Sequence, residues 1–171
     1  NYNTCKYRVT VIDTNTLTVT CPHDFSVNND AGNCTAYLAS YGTPVILPNY
    51  NGACLTAGLA HDPGPNFPAG TTQLTYNVVA NGHTASCSWN ITVNDVEKPN
   101  ITSPANITTQ IDPGNCGKVV NFTAPVGTDN CNNGLGTYLI TGLAPGSLFP
   151  FGSTLETYVV SDLTGNTDTA R

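Results

Sequence analysis

One offset governs this chain: residues 82 positions apart repeat from its start almost to its end. Cys5 returns as Cys87, Asp13 as Asp95, Pro22 as Pro104, Gly32 as Gly114 and Cys34 as Cys116. Later, Phe67-Pro68 returns as Phe149-Pro150, Gly70 as Gly152, Thr72 as Thr154, Tyr76 as Tyr158 and Val78 as Val160. A register held that long marks two copies of one supersecondary unit. It loosens once, where Cys54 and Cys131 stand 77 apart and the intervening loops differ in length. The 171 residues therefore divide into two small units with modest cores.

The hydrophobic period identifies the contents of each unit. In CKYRVTV, Cys5, Tyr7, Val9 and Val11 fall on one face and Lys6, Arg8 and Thr10 on the other; in CSWNITV the matching set is Cys87, Trp89, Ile91 and Val93. Alternation of this kind is the pattern of a strand with one buried face. Further alternating runs, Leu17/Val19/Cys21, Leu74/Tyr76/Val78 and Tyr158/Val160, are separated by the turn sequences NNDAGN, HDPGPN, ANGH, DPGN, DNCNNG and LTGN. Only 9% of residues are charged and Met is absent, whereas Asn and Thr abound. That composition wets a surface with amides and hydroxyls and favours strands and turns over helices. Each unit reads as an all-β sandwich of several short strands.

The segments CPHDFSVNNDAGNC and FPAGTTQLTYNVVANGHTASCSWNITVNDVEKP, echoed by SPANITTQIDPGNC, TDNC and FPFGSTLETYVVSDLTGNT, resemble the hyalin repeat, or HYR domain. The resemblance covers essentially the whole chain. It departs from the pattern at Ser103, which replaces the cysteine of the Cys-Pro pair, and at Gly-Ala-Cys54, where Asn-Cys is expected. It implies two tandem immunoglobulin-like Greek-key β-sandwiches with an adhesive or structural extracellular role and no catalysis. On this reading 17–97 is the first sandwich and 98–171 the second, which lacks its closing strand, while 1–16 is the closing strand of a neighbouring repeat.

Seven cysteines, with no C-x-x-C pair, indicate structural disulfides in an oxidising compartment, outside the cell or on its surface. The difference between the repeats suggests pairing Cys34 with Cys54, Cys116 with Cys131 and Cys21 with Cys87, which leaves Cys5 unpaired or bonded to another repeat. The rival pairing joins Cys5 to Cys21 and leaves Cys87 as a thiol. Cys5, Tyr7, Val9 and Val11 then form a donor strand, and two neighbours suit it. The chain is a segment of a longer array, or identical subunits polymerise head to tail by strand complementation. Cys5 favours the array, because a second copy of this chain would set it against Ser103.

Candidate chemistry is sparse. His23, His61 and His83 carry no metal-ligand spacing, no G-x-S-x-G elbow occurs, and an enzyme is not expected. No cofactor is expected either, except that Asp95 and Glu97, with Asp24 or Asp62 from nearby loops, are candidate calcium ligands. Asn33, Asn90, Asn100, Asn106 and Asn121 match the N-glycosylation sequon, with Asn33 the least suitable because it precedes a disulfide cysteine. The sole Trp, Trp89, shares the inward face with Ile91 and reads as core, which weighs against sugar stacking. The net charge of −6 disfavours nucleic acid and anionic membranes, and no apolar run is long enough to span a bilayer. The N-terminal residues lack a signal-peptide pattern, so the chain reads as mature or cut from something longer. The function expected is a structural, adhesive stalk or filament segment; the alternative is a glycan- or protein-binding accessory module of a larger secreted protein.

Overall fold

A computed structural model describes residues 2–48, 54–131 and 134–171. The described residues contain strands and no helix, so none of them forms a helix able to cross a membrane. The first repeat contributes β1 (Thr18–Thr20), β2 (Phe25–Asn28), β3 (Thr35–Tyr37), β4 (Val45–Leu47), β5 (Leu55–Leu59), β6 (Asn66–Pro68), β7 (Gly70–Ala80) and β8 (His83–Asn94). The second contributes β9 (Gly117–Val119), β10 (Gly136–Thr141), β11 (Leu148–Pro150), β12 (Thr157–Ser161) and β13 (Thr167–Ala170). The largest sheet has the order β2-β8-β7-β5, and a three-stranded sheet has the order β10-β12-β13. Smaller pairs are β1-β4, β3-β6 and β9-β11.

The strand ladders keep the sequence register. β3 sets Thr35, Ala36 and Tyr37 opposite Pro68, Phe67 and Asn66, and β9 sets Gly117, Lys118 and Val119 opposite Pro150, Phe149 and Leu148. Every residue in the second pair is 82 beyond its counterpart in the first. On β5, Leu59 faces Tyr76 and Ala57 faces Val78; on β10, Leu139 faces Tyr158 and Thr137 faces Val160. Here the partners of the tyrosine and valine are 80 apart, the structural trace of a connection shortened by two residues. The β7–β8 hairpin closes through Asn81 and Gly82, both at positive φ (50° and 83°), as a two-residue hairpin of this handedness requires.

Compactness divides the chain into two units that differ from the two sequence repeats. Unit 1 comprises Asn1–Phe25, Ala39–Pro65 and Thr72–Ile91. Its core packs Leu17, Val78 and Ala80 against Val19, Ile46, Leu55, Tyr76 and Ala85. Trp89 is buried too, and its indole N–H donates to the carbonyl of Tyr41 at 3.1 Å, so the ring is core and offers no face to a sugar. Cys21 and Cys87 form a disulfide here, with Cα atoms 5.6 Å apart. Cys21 is thereby committed, so the Cys5–Cys21 alternative does not form.

Unit 2 comprises Ser26–Leu38, Asn66–Thr71 and Thr92–Arg171. One end of the first repeat thus belongs to the same compact body as the second repeat. Its core gathers Ile101, Tyr158, Val160 and Ala170, with Phe122, Ala124, Leu135 and Leu139 against them. β13 pairs with β12, Tyr158 facing Ala170, so the closing position expected to be vacant holds a strand over Thr167–Ala170. β2 has no counterpart among the described residues: residues 107–110, in register with it, are exposed and form no strand, while β1 and β4 are matched by the isolated bridge between Asn100 and Thr128, and β13 has β12 as its single strand neighbour among the described residues.

The segment before β1 stands apart. Residues 2–12 are exposed and form no strand, with Tyr7, Val9 and Val11 at 87%, 74% and 91% exposure. Their register counterparts on β8, Trp89, Ile91 and Val93, are buried to 2%, 0% and 2%. An identical strand pattern is therefore satisfied once and unsatisfied once.

Candidate functional site at the repeat junction

Unit 2 holds a concentration of carboxylates and amides where the first repeat passes into the second. Asp95 follows β8, and its register partner Asp13 lies just before the first repeat. Asp129 sits in the turn before Cys131, where its Oδ2 accepts the Cys131 N–H at 3.1 Å. Asp162 opens the loop between β12 and β13, a turn longer than the two-residue hairpin of the first repeat. Its Oδ1 accepts Asn166 N–H at 2.8 Å and the Thr164 hydroxyl at 3.0 Å, and its Oδ2 accepts Asn166 Nδ2 at 2.8 Å. Carboxylate oxygens of Asp95, Asp129 and Asp162 lie within 4.8 Å of one another.

The electrostatics of this cluster are unfavourable as it stands. Asp95 is 7% and Asp162 9% exposed, and no cationic side chain pairs with any of the three carboxylates among the described residues. Burial pushes the Asp95 carboxyl above the ordinary value of 3.8; the Glu97 backbone N–H pulls against it, and the charges of Asp129, Asp162 and Glu97 push it further up. Burial acts on Asp162 in the same sense, but the hydrogen bonds from Asn166, Thr164 and Gly165 outweigh it and hold that carboxyl below 3.8. Asp129 Oδ1 is buried with no hydrogen-bond partner among the described residues. Three hard oxygen donors at this spacing, one unsatisfied, are the arrangement that a divalent cation with six to eight oxygen ligands accommodates.

Glu97, the other candidate ligand beside Asp95, forms a clasp. Its carboxylate accepts the Gly32 N–H at 2.9 Å through both oxygens, Asn29 Nδ2 at 3.3 Å, and Asn130 Nδ2. Buried Asn29 completes the clasp: its Nδ2 also donates to Asn33 O at 2.9 Å and Asp95 Oδ1 at 3.3 Å, and its Oδ1 accepts the Val96 N–H at 3.2 Å. Asn130 Nδ2 donates to Asn33 O at 2.9 Å. Asp24 and Asp62 are engaged elsewhere, Asp24 by Asn90 N–H and Nδ2, Asp62 by the Tyr41 hydroxyl and Gly64 N–H.

The cysteine pairing differs from the expected one at this same place. Cys34 is bonded to Cys131, with Cα atoms 4.8 Å apart and a sequence separation of 97. Cys54 and Cys116, the partners expected for these two, are exposed thiols, as is Cys5. The reason is local: the Asn130 amide holds its turn against Asn33 O, which sets Cys131 beside Cys34. Among the sequons, Asn90 is half-buried with its amide tied to Asp24, whereas Asn100, Asn106 and Asn121 are exposed. Sequence reasoning missed Asp129 and Asp162 as members of the cluster. Their signal was positional, an acid in each of two turn sequences, TDNC and DLTGN.

The pattern of repeated strands, paired cysteines and recurring turn residues has known counterparts. A family model described as the HYR domain matches residues 94–171. The chain carries a HYR domain. It is 33% identical over 173 residues to hyalin of Strongylocentrotus purpuratus, covering 95% of this chain and 14% of that protein. It is 29% identical over 175 residues to hyalin of Lytechinus variegatus, covering 97% of this chain and 32% of that protein. The chain thus spans a small part of the relatives it matches. A disulfide-bonded HYR chain belongs outside the cell or at its surface, where such bonds persist.

Proposed function

We propose that the chain is a load-bearing, adhesive segment of a longer extracellular array of HYR repeats. The observation that carries this reading is the Cys34–Cys131 disulfide, which fastens the end of one sequence repeat to the next, reinforced by the Glu97 clasp. A connection fixed covalently and by hydrogen bonds resists extension under tension, where a flexible linker lengthens. Calcium held by Asp95, Asp129 and Asp162 would neutralise the buried carboxylates and stiffen the connection further. The exposed Tyr7, Val9 and Val11 support a strand that completes a preceding repeat, and the register of Cys5 with the disulfide cysteine Cys87 supports a neighbour that offers a cysteine in return.

Single-molecule pulling from the two ends tests the reading. With the disulfide intact, the 97-residue span between Cys34 and Cys131 stays closed, withholding about 330 Å of extension that appears once this bond and the overlapping Cys21–Cys87 bond are both reduced. Calcium raises the force of the first rupture. A chain that releases that length without reduction, or unravels in calcium with no resolved force peak, is not a load-bearing segment.

A further inference from the structure

Given the repeat-array function proposed above, we infer that Cys116 is one half of a cross-link to a following repeat, and that its partner is the cysteine of that repeat's Asp-Asn-Cys turn. The backbone that presents Cys34 to Cys131 is duplicated at Cys116. Gly32 and Gly114 both adopt positive φ, 74° and 85°. Asn33 N–H donates to Asp30 O at 2.9 Å, and Asn115 N–H to Asp112 O at 3.1 Å. The cysteine carbonyls are held alike, Cys34 O accepting from Ala69 N–H at 2.9 Å and Cys116 O from Phe151 N–H at 3.0 Å. β3-β6 and β9-β11 continue in the same register. Two cysteines thus stand in one backbone frame, one of them bonded and the other an exposed thiol.

The space beside them differs in the way this inference requires. Beside Cys34 lies the Asn130–Cys131 turn, with the Asn130 amide on Asn33 O. Beside Cys116 lies a groove of about 590 Å³ lined by Asp112, Asn115, Cys116, Val119, Leu148 and Pro150. Phe149 is partly exposed where its counterpart Phe67 is fully buried. Asn115 O holds the place of Asn33 O, the acceptor for an incoming asparagine amide. The occupant that fits is therefore another Asp-Asn-Cys turn.

The bond forms by thiol–disulfide exchange with a small disulfide such as oxidised glutathione. The Cys116 thiolate attacks one glutathione sulfur and releases a glutathione thiolate. The incoming cysteine thiolate then attacks the Cys116 sulfur of that mixed disulfide and releases the second glutathione. Two protein thiols are oxidised, one disulfide is reduced to two thiols, and two protons are passed to solvent or to those thiolates.

The test uses the 171-residue chain in a glutathione redox buffer with a synthetic peptide, GTDNCNN, copied from residues 127–133. Mass mapping of the products should find the peptide on Cys116 in preference to Cys5 and Cys54 by about tenfold. Cys116→Ser should abolish that capture, Cys5→Ser and Cys54→Ser should leave it, and a peptide carrying Asn130→Ala should lose most of the preference. Equal labelling of the three thiols, or a map of the chain alone that joins Cys116 to Cys131 and Cys34 to Cys54, overturns the inference. Equal labelling leaves the pulling result untouched, because pulling depends on Cys34–Cys131 and not on Cys116.

Discussion

Asp95 shows how one side chain can oppose folding and serve binding. Its carboxyl holds a proton more tightly in the folded chain than in the unfolded one, where 3.8 applies. Stability therefore falls as pH rises from 3.8 through the raised folded value, and the penalty is complete above it. Asp162 has the opposite sign: its hydrogen bonds contribute stability above 3.8 that is lost as pH falls through its lowered folded value. Asp95→Asn keeps an oxygen for Asn29 Nδ2 and the Glu97 N–H while removing the charge. At pH 7 in a chelator the variant should be more stable than wild type by about 1 kcal/mol. In calcium the order should reverse, wild type gaining about 2.7 kcal/mol at a hundredfold excess over Kd and the variant little. Thermal melts of both proteins in the two buffers decide it; a variant that gains as much from calcium as wild type would remove Asp95 from the site. Tyr158 offers a control within the same core. Its buried hydroxyl has no hydrogen-bond partner among the described residues, so Tyr158→Phe should be neutral or stabilising by up to about 1 kcal/mol in chemical denaturation.

At the scale of elements, the strands were the readable part of the sequence, because alternation is a local signal. Trp89, Ile91 and Val93 were assigned inward from their spacing alone, and all three are buried. The junction was less readable, because its parts come from three separate segments. Asp95 stood in a recognisable linker, but nothing local to TDNC or DLTGN says that Asp129 and Asp162 converge on it. The cysteines were ambiguous for a related reason. Pairing within a repeat and pairing across repeats use the same sequence positions, and the Asn130 contacts with Asn33 and Glu97 accompany the second. The exposed segment before β1 separates pattern from packing most sharply. It has the residues of a core strand, yet residues 2–12 bury nothing here. Deleting residues 1–11 should accordingly change the unfolding free energy of this chain by less than about 0.5 kcal/mol, measured in urea. A larger loss would mean that the segment already packs on its own chain, and the donor-strand reading would fail.

At the scale of the whole molecule, the division between compact units and the division between sequence repeats do not coincide, and the Cys34–Cys131 disulfide lies where they differ. It closes a long loop, so in the chain-entropy view it constrains the unfolded state strongly, by about 4–5 kcal/mol for a loop near 100 residues. The bond lies wholly within unit 2, whereas Cys21–Cys87 lies within unit 1. Replacing Cys34 and Cys131 together by Ser should therefore act unevenly. Native-state hydrogen exchange should show lost protection in β3, β6, β9 and β12, while the amides of Val78, Ala80 and Trp89 retain most of theirs. Isolated domains joined by an inert staple would behave differently, with both units exchanging as in wild type. A single cooperative body would lose protection everywhere by the same amount. The uneven result alone fits a chain in which each repeat borrows part of its stability from the repeat to which it is bonded.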